Sequence, residues 1–288
     1  MGLARGEYIA FLDADDFYPA DNTLELLYET AKREQSPIVG GSFQKYNSQE
    51  NPPVIDSFEN EPQNAGYKFA VSSLMEYADY QFEYGYQRFL FKKSFLEEND
   101  IRFPDYLRYE DPPFLVAAMV AAGNFYALAR PTYTYRVGIK SVEWTPQYAI
   151  DLARGLKDVG MLAAQNNLLN LYEKNLWRLC AEWEPAFFES VRKYSDARVL
   201  EEYFATRATL FETGRRLGID FEKLDLPPLS ITARRTLDEL DHAYSEIESL
   251  RVRIAEMEAS HSWKVGSALM AAPGYVKKIV RERKIAKL

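Results

Sequence analysis

Gly6-Glu7-Tyr8-Ile9-Ala10-Phe11-Leu12-Asp13-Ala14-Asp15-Asp16 is the stretch on which the reading of this chain turns. Its first half is a short apolar run with β-branched and aromatic residues, too short for a helix, and it ends abruptly in acids; that pattern predicts a buried strand over Glu7–Asp13. Three carboxylates then stand at the carboxyl end of the strand, the edge of an open α/β sheet where ligands bind. Two such groups about 4 Å apart repel by ~4 kcal/mol at an effective dielectric of 20, so the cluster favours either protonation or a bound cation. Oxygen-only donors select Mg²⁺ or Mn²⁺. Spacing alone leaves a second reading open, in which the acids merely form the turn into the next helix.

Working outward, Asp21 or Asn22 is placed to cap a helix over Thr23–Lys32 with apolar positions at Leu24, Leu27, Tyr28 and Ala31, and Pro37–Phe43 reads as another strand. A polar loop rich in Asn, Pro, Gln and Glu separates Tyr46 from Ala65, and the alternating aromatics Tyr80, Phe82, Tyr84 and Tyr86 follow it as a sheet-like pattern. Arg88–Phe103 reads as strand and helix. Pro112–Ala122 is an apolar helix introduced by Tyr109-Glu110-Asp111 and stopped by Gly123, and Phe125–Tyr135 is a closing strand. Beyond residue 146, Leu152, Leu156, Val159, Leu162, Leu168, Leu171, Tyr172 and Leu176 recur at helical spacing. Pro227-Pro228 marks a linker. Leu237, Leu240, Tyr244, Ile247, Ile254 and Met257 then follow three-four spacing, interrupted by Arg251, as in a short coiled coil able to join two copies of the chain.

Composition bounds the function. A chain of 288 residues has room for one full core and an appendage, and its 35 basic against 43 acidic residues give no sequence-wide footprint for nucleic acid. The charge is unevenly spread. From Trp263 to Leu288 seven Lys or Arg face the single acid Glu282, and Val276, Ile279, Val280 and Ile285 are interleaved with them, a pattern suited to an anionic membrane surface. One cysteine, Cys180, forbids an intramolecular disulfide and reads as a core thiol. With no apolar run of about 18 residues and no signal-peptide order at the amino terminus, the expected setting is cytoplasmic, peripheral at the inner face of the membrane. The two histidines, His242 and His261, lie far from every carboxylate above, which disfavours a histidine triad or a His-ligated zinc site; no Gly-rich phosphate loop or Gly-X-Ser-X-Gly elbow occurs.

The Gly6–Asp16 stretch resembles the Asp-X-Asp segment of family 2 glycosyltransferases of the GT-A fold, specifically the bacterial cell-surface polysaccharide type. The resemblance implies an α/β domain in which Asp13 and Asp15 hold a divalent metal against the diphosphate of a nucleotide-sugar donor, with Asp16 in support. The stretch from Phe89 to Phe103 leading to Glu110-Asp111 is similar to the family's approach to its Glu-Asp pair, which implies Asp111 as catalytic base and Glu110 beside it. Read without the family, Asp111 before Pro112 is equally a helix N-cap; read with it, the helix terminus fixes the carboxylate and lowers its pKa. Pro112-Pro113 departs from the branched or aromatic residues expected there. Pro131-Thr-Tyr-Thr-Tyr-Arg136 with Lys140-Ser141 is similar to the family's diphosphate-approaching segment, which implies that role for Arg136, Lys140 and Ser141, unless the two cations are solvated loop charges. Tyr84 and Tyr86 could stack on an acceptor sugar, or pack within the sheet.

The implied reaction is an inverting transfer from a nucleotide-sugar to a glycan or lipid-linked glycan acceptor. The resemblance covers residues 2–145, and Ser260-His-Ser-Trp-Lys-Val-Gly266 also looks like an ending found on such enzymes. A complete domain of this kind needs roughly ninety more residues ahead of the metal motif, so the chain reads as a fragment, a mis-started reading frame or a degenerate protein. The expected division is a truncated GT-A domain over 1–146, a helical subdomain over 147–226, linker and coiled coil over 227–262, and a basic amphipathic tail over 263–288. An inactive fragment, or a non-catalytic scaffold using the coiled coil, is the alternative. A haloacid dehalogenase phosphatase also places Asp-X-Asp after an apolar strand, but that family wants Thr or Val where Phe17 stands and a later Gly-Asp metal motif.

Overall fold

The computed structural model describes residues 2–47, 49–50, 54–57, 66–137, 142–228 and 231–259. The predicted diphosphate residues Lys140 and Ser141, His261 and the basic tail lie outside them. The chain divides into two units, residues 1–230 and 231–288.

The first unit is α/β, as its sequence predicts. Its elements are β1 (Tyr8–Ala10), α1 (Thr23–Glu34), β2 (Ile38–Asn47), β3 (Val54–Ser57), β4 (Ser73–Glu76), a one-turn α2 (Tyr77–Tyr80), a 3₁₀ turn (Tyr86–Arg88), β5 (Phe89–Lys92), α3 (Lys93–Glu98), α4 (Asp111–Ala122) and β6 (Asn124–Val137). Four helices follow: α5 (Pro146–Gln165), α6 (Leu169–Trp177), α7 (Glu184–Tyr194) and α8 (Arg198–Arg216), with a π-turn at Arg178–Glu182 between α6 and α7.

The sheet runs β1-β5-β2-β6-β4, with β3 paired off β2. Only β2 and β6 are parallel; β1 with β5, β5 with β2 and β6 with β4 are antiparallel. The first strand is shorter than its apolar run suggests, because its ladder to β5 spans Tyr8–Ala10 alone, and Phe11 leaves the ladder to pack edge-on against Tyr86, Phe91, Phe103 and Phe114. In β2 every residue from Ile38 to Phe43 is buried, as expected of a strand covered on both faces. Helix α4 carries two prolines in its first turn and is apolar after Asp111, with Phe114, Leu115 and Val116 fully buried; Gly123 ends it with φ 72°, a left-handed backbone value that favours glycine.

Two sequence readings change. The alternation Tyr80, Phe82, Tyr84, Tyr86 is not a strand: it runs out of α2 through an irregular segment into the 3₁₀ turn, with Phe82 buried and Tyr84 and Tyr86 lining the cavity described below. In α1 the buried positions are Thr23, Leu27, Thr30 and Ala31, whereas Leu24 and Tyr28 are exposed, so the buried stripe is rotated and half polar. Asn22 holds the N-cap position without a side-chain cap; the Thr23 hydroxyl instead accepts from the Ala20 N–H.

The helical expectation for residues beyond 146 holds, with Leu152, Leu156, Val159, Leu168, Leu171, Tyr172 and Leu176 all buried. Cys180 is buried too, and the Arg207 guanidinium donates to its sulfur at 2.8 Å. The second unit contains one long helix, α9 (Ile231–Ala259), on which Leu250, Val252 and Ile254 are exposed. Among the described residues no helix is long and apolar enough to cross a membrane.

Where β2 meets β6 the register shifts on both sides of Ser42, opposite Pro131, a residue with no N–H to give to the ladder. The Thr132 hydroxyl repairs the gap, accepting from Gly41 N–H at 2.9 Å and donating to the Arg88 carbonyl at 2.8 Å. A Cβ on residue 41 would lie 2.3 Å from the Arg130 carbonyl oxygen, which is backbone and cannot move aside. We expect Gly41→Ala to destabilise the fold by about 1–3 kcal/mol, read as a lower denaturation midpoint with an unchanged slope; wild-type stability would mean that the strands are not so closely apposed.

Candidate functional site

The acidic turn is fastened to β6. Phe17 and Thr134 exchange backbone hydrogen bonds of 3.2 and 3.0 Å, and Asp16, buried, turns its carboxylate inward to accept from the Tyr133 hydroxyl at 2.7 Å and the Arg136 N–H at 2.8 Å. The same Tyr133 oxygen accepts the Asp13 N–H at 3.1 Å. Burial pushes the Asp16 carboxyl above its ordinary value even though both hydrogen bonds oppose the shift. Arg136 donates from Nε to the Asp15 carbonyl at 2.8 Å, and its guanidinium lies over the rings of Tyr46 and Phe17. The structure thus sets Asp16 and Arg136 on the frame of the turn and leaves Asp13 partly exposed, where its carboxylate accepts from Gln87 Nε2 at 3.0 Å.

On the other side stand Glu110 and Asp111. Asp111 is the first residue of α4 rather than its cap; Glu110 holds the N-cap position, without a capping side-chain bond. The expected lowering of the Asp111 pKa is also reversed. Burial raises it first, the Glu110 and Asp13 charges add to the rise, and Arg108 only partly opposes them, leaving the carboxyl at about 7. A helix terminus is a partial charge acting over one turn, and it loses here to desolvation and two like charges.

Asp13, Glu110 and Asp111, far apart in sequence, line one open cavity of about 420 Å³ together with Tyr84, Tyr86 and Trp183. Of the two tyrosines singled out for an acceptor, Tyr84 is partly committed: its hydroxyl lies 3.0 Å from that of Tyr109 and the Arg178 guanidinium sits 4.5 Å from its ring. Burial and the charges of Asp111, Asp13 and Glu110 push the Tyr86 hydroxyl well up, so it stays protonated.

Among the described residues no group of three or more ligating side chains is assembled, and Asp16 faces away. Asp13 lines the cavity and Asp15 is not among its lining residues; the donors that these two carboxylates offer are oxygens alone, the chemistry Mg²⁺ or Mn²⁺ takes. Residues that the sequence reading passed over are Tyr133, Gln87, Arg108 and Trp183. Tyr133 had a signal, since it alternates with Tyr135 on β6; the other three are brought in by the chain path alone.

Residues 1–97 match the family model described as "Glycosyl transferase family 2". The chain is 29% identical over 148 residues to the uncharacterized glycosyltransferase EpsJ of Bacillus subtilis, covering 50% of this chain and 41% of that protein. It is 32% identical over 136 residues to a poly(ribitol-phosphate) beta-glucosyltransferase of Bacillus spizizenii, covering 47% and 20%. The chain therefore spans less than half the length of the curated relatives it matches. Among solved structures, residues 1–349 of S. aureus TarS in complex with UDP align at TM-score 0.46 and 14% identity, over 76% of this chain and 70% of that one.

The raised Asp111 pKa carries a stability consequence. Unfolded, the carboxyl titrates near 4; folded, near 7. Between those values the native state holds a proton that the unfolded state has lost, so this contribution to stability is complete below pH 4 and is lost as pH rises through 7. Asparagine has no charge to desolvate. Relative to wild type, Asp111→Asn should therefore gain stability between pH 4.5 and 8.5, on the order of 2 kcal/mol after allowance for partial exposure. Denaturant titrations at the two pH values check it, and an identical difference at both would contradict the burial of this carboxylate.

Proposed function

We propose, from the match of residues 1–97 to the family 2 glycosyltransferase model, that the cavity transfers a sugar from a nucleotide-sugar donor to a hydroxyl of a glycan or lipid-linked glycan, in cell-surface polysaccharide synthesis. The observation that supports it most is the meeting of the Asp13 carboxylate with Asp111, a carboxylate of pKa about 7, in one cavity. A base whose pKa lies near the working pH is both available and strong enough to take a hydroxyl proton.

In this reading Asp111 accepts the acceptor's proton as its oxygen attacks the anomeric carbon from the face opposite the diphosphate, and the configuration there inverts. Glu110 and Asp13 keep Asp111 basic by like charge, and Arg108 limits the effect. Asp13 and Asp15 would hold Mg²⁺ or Mn²⁺, which when bound neutralises charge on the departing diphosphate. Asp16 stays apart from those two by engaging Tyr133 and the Arg136 backbone. Arg136, with Lys140 and Ser141, supplies positive charge and a hydroxyl on the diphosphate side, while Tyr84 and Tyr86 form the acceptor wall. Division of labour along the chain follows the sequence: transferase residues to 146, helical segment to 226, then linker and coiled coil over 227–262, the coil pairing two copies, and the basic stretch 263–288 on the anionic inner face of the membrane.

Two variants separate the roles. Calorimetry with nucleotide-sugars and Mn²⁺ should show metal-dependent donor binding lost in Asp15→Ala and kept in Asp111→Asn, while Asp111→Asn loses about 10²–10⁴-fold in transfer rate. Wild-type transfer by Asp111→Asn would remove the base assignment, and metal-independent donor binding by wild type would remove the metal.

A further inference from the structure

Tyr109, immediately before the Glu110-Asp111 pair, has φ 66°, a left-handed conformation that a bulky aromatic residue adopts only where its surroundings over-determine it. It is also buried. Three separate parts of the chain hold it. Its hydroxyl meets that of Tyr84 at 3.0 Å. Its ring stands edge-on to Trp183 at 6.1 Å. Its backbone and ring lie against the bare backbone of α5 at Gly155, where a Cβ would come within 2.7 Å of both the Tyr109 carbonyl oxygen and Cδ1.

The π-turn between α6 and α7 delivers the Trp183 contact and the residue that backs Tyr84. Arg178 opens the turn and Trp183 follows it, closing the wide loop with an N–H to the Arg178 carbonyl at 2.9 Å. Inserting one extra residue into helical spacing re-aims side chains, and such turns are found mostly where an aimed side chain matters. Here the turn points Arg178 back toward the sheet. Its Nε donates to Glu83 at 2.6 Å, with both side chains almost wholly buried, and its guanidinium plane covers the Tyr84 ring. Burial works against the Arg178 charge, and Glu83, Tyr84, Tyr109 and Glu182 together outweigh it, so the guanidinium stays charged. A planar, always-charged fork is what can pair with a carboxylate and stack on a ring at once; a lysine ammonium does only the first.

We propose that Arg178 and Gly155 are positioning residues for the Asp111 carboxylate, acting through Tyr84 and Tyr109 to lock residue 109 in the left-handed conformation that aims the Glu110-Asp111 pair into the cavity. The proposal rests on the reading of Asp111 as base. Neither Arg178 nor Gly155 lines the cavity, so both can be changed without touching substrate. The helical segment then acts as the clamp of the reacting group as well as a wall beside it.

Arg178→Lys keeps the charge opposite Glu83; Gly155→Ala is favourable to a helix but sets a Cβ 2.7 Å from the Tyr109 carbonyl oxygen, so Arg178→Lys carries the test where the alanine variant does not fold. In each we expect kcat to fall at least tenfold with the KM values for donor and acceptor within twofold, and backbone hydrogen exchange at residues 109–111 to quicken at least tenfold. Lower thermal stability with unchanged kcat and exchange would reduce these residues to packing and overturn the proposal. Faster exchange with unchanged kcat would overturn it as well, because the clamp would then not reach the chemistry. If wild type transfers no sugar, the reading of Asp111 as base fails, and exchange alone judges the clamp: unchanged exchange in both variants refutes it.

Discussion

A carboxylate turned inward is the constraint on which this site is built. Asp16 could have joined Asp13 and Asp15 at the surface, where three like charges would repel one another. Instead it is buried, and two hydrogen bonds of 2.7 and 2.8 Å to Tyr133 and to the Arg136 backbone bind the turn to β6. Burying an ionised group is costly unless donors meet it, and charge-assisted bonds of this kind are about twice as strong as neutral ones. The Tyr133 oxygen does double duty by also accepting the Asp13 N–H, so one hydroxyl fixes the turn at both ends of the Asp-X-Asp-Asp run. With Asp16 removed from the surface, the remaining pair has the composition for a cation shared with phosphate oxygens.

Charge across the cavity follows from the same arrangement. Glu110 and Asp111 sit at the amino terminus of α4, where a dipole argument alone favours ionisation. Desolvation prevails because Pro112, Pro113 and Phe114 are buried behind the pair and Tyr86 packs against Phe114, leaving little water on the inner side of Asp111. Asp13 contributes from the opposite wall. The two halves of the site are therefore electrostatically joined across the cavity, and a cation on the Asp13 side would relieve part of the repulsion acting on Asp111.

Much of this was legible in the residues, for reasons that can be named. The elements β2, α4 and β6 announce themselves because a strand buried on both faces and an apolar helix bounded by proline and glycine leave plain compositional marks. The acidic turn and the Glu110-Asp111 pair were visible through their resemblance to a family, and the fold brings Asp13 and Asp111 to one cavity. What could not be read is where tertiary packing overrides local pattern. Tyr80, Phe82, Tyr84 and Tyr86 alternate like a strand, but Glu83 between two of them is as buried as Phe82, so the segment follows packing and not a pleat. Leu24 and Tyr28 match a helical stripe but are exposed, while Thr23 and Thr30 are buried against the sheet. No pattern in the sequence marks residue 109 as left-handed, since tyrosine ordinarily avoids that conformation.

The loop from Ile101 to Glu110 shows how a segment without regular structure can carry site residues at fixed places. Its polar groups still need partners, because a loop lying against the core cannot leave them all to water. Helix α5 supplies two. Asp151, nearly inaccessible, accepts the Leu107 N–H at 3.0 Å and is itself steadied by Gln147 at 2.7 Å; about two turns further along the helix, Asp158 accepts the Tyr106 hydroxyl at 2.7 Å. These acids and Gly155 sit along one helix, so the loop is captured by hydrogen bonds to either side of the point where Tyr109 presses on bare backbone. Apolar burial alone would fix the depth of such a loop but not its rotation about its own axis. Directional bonds from carboxylates do fix it, which is why the side chains of Arg108 and Glu110 reach the cavity from a segment that has neither helix nor strand to orient it.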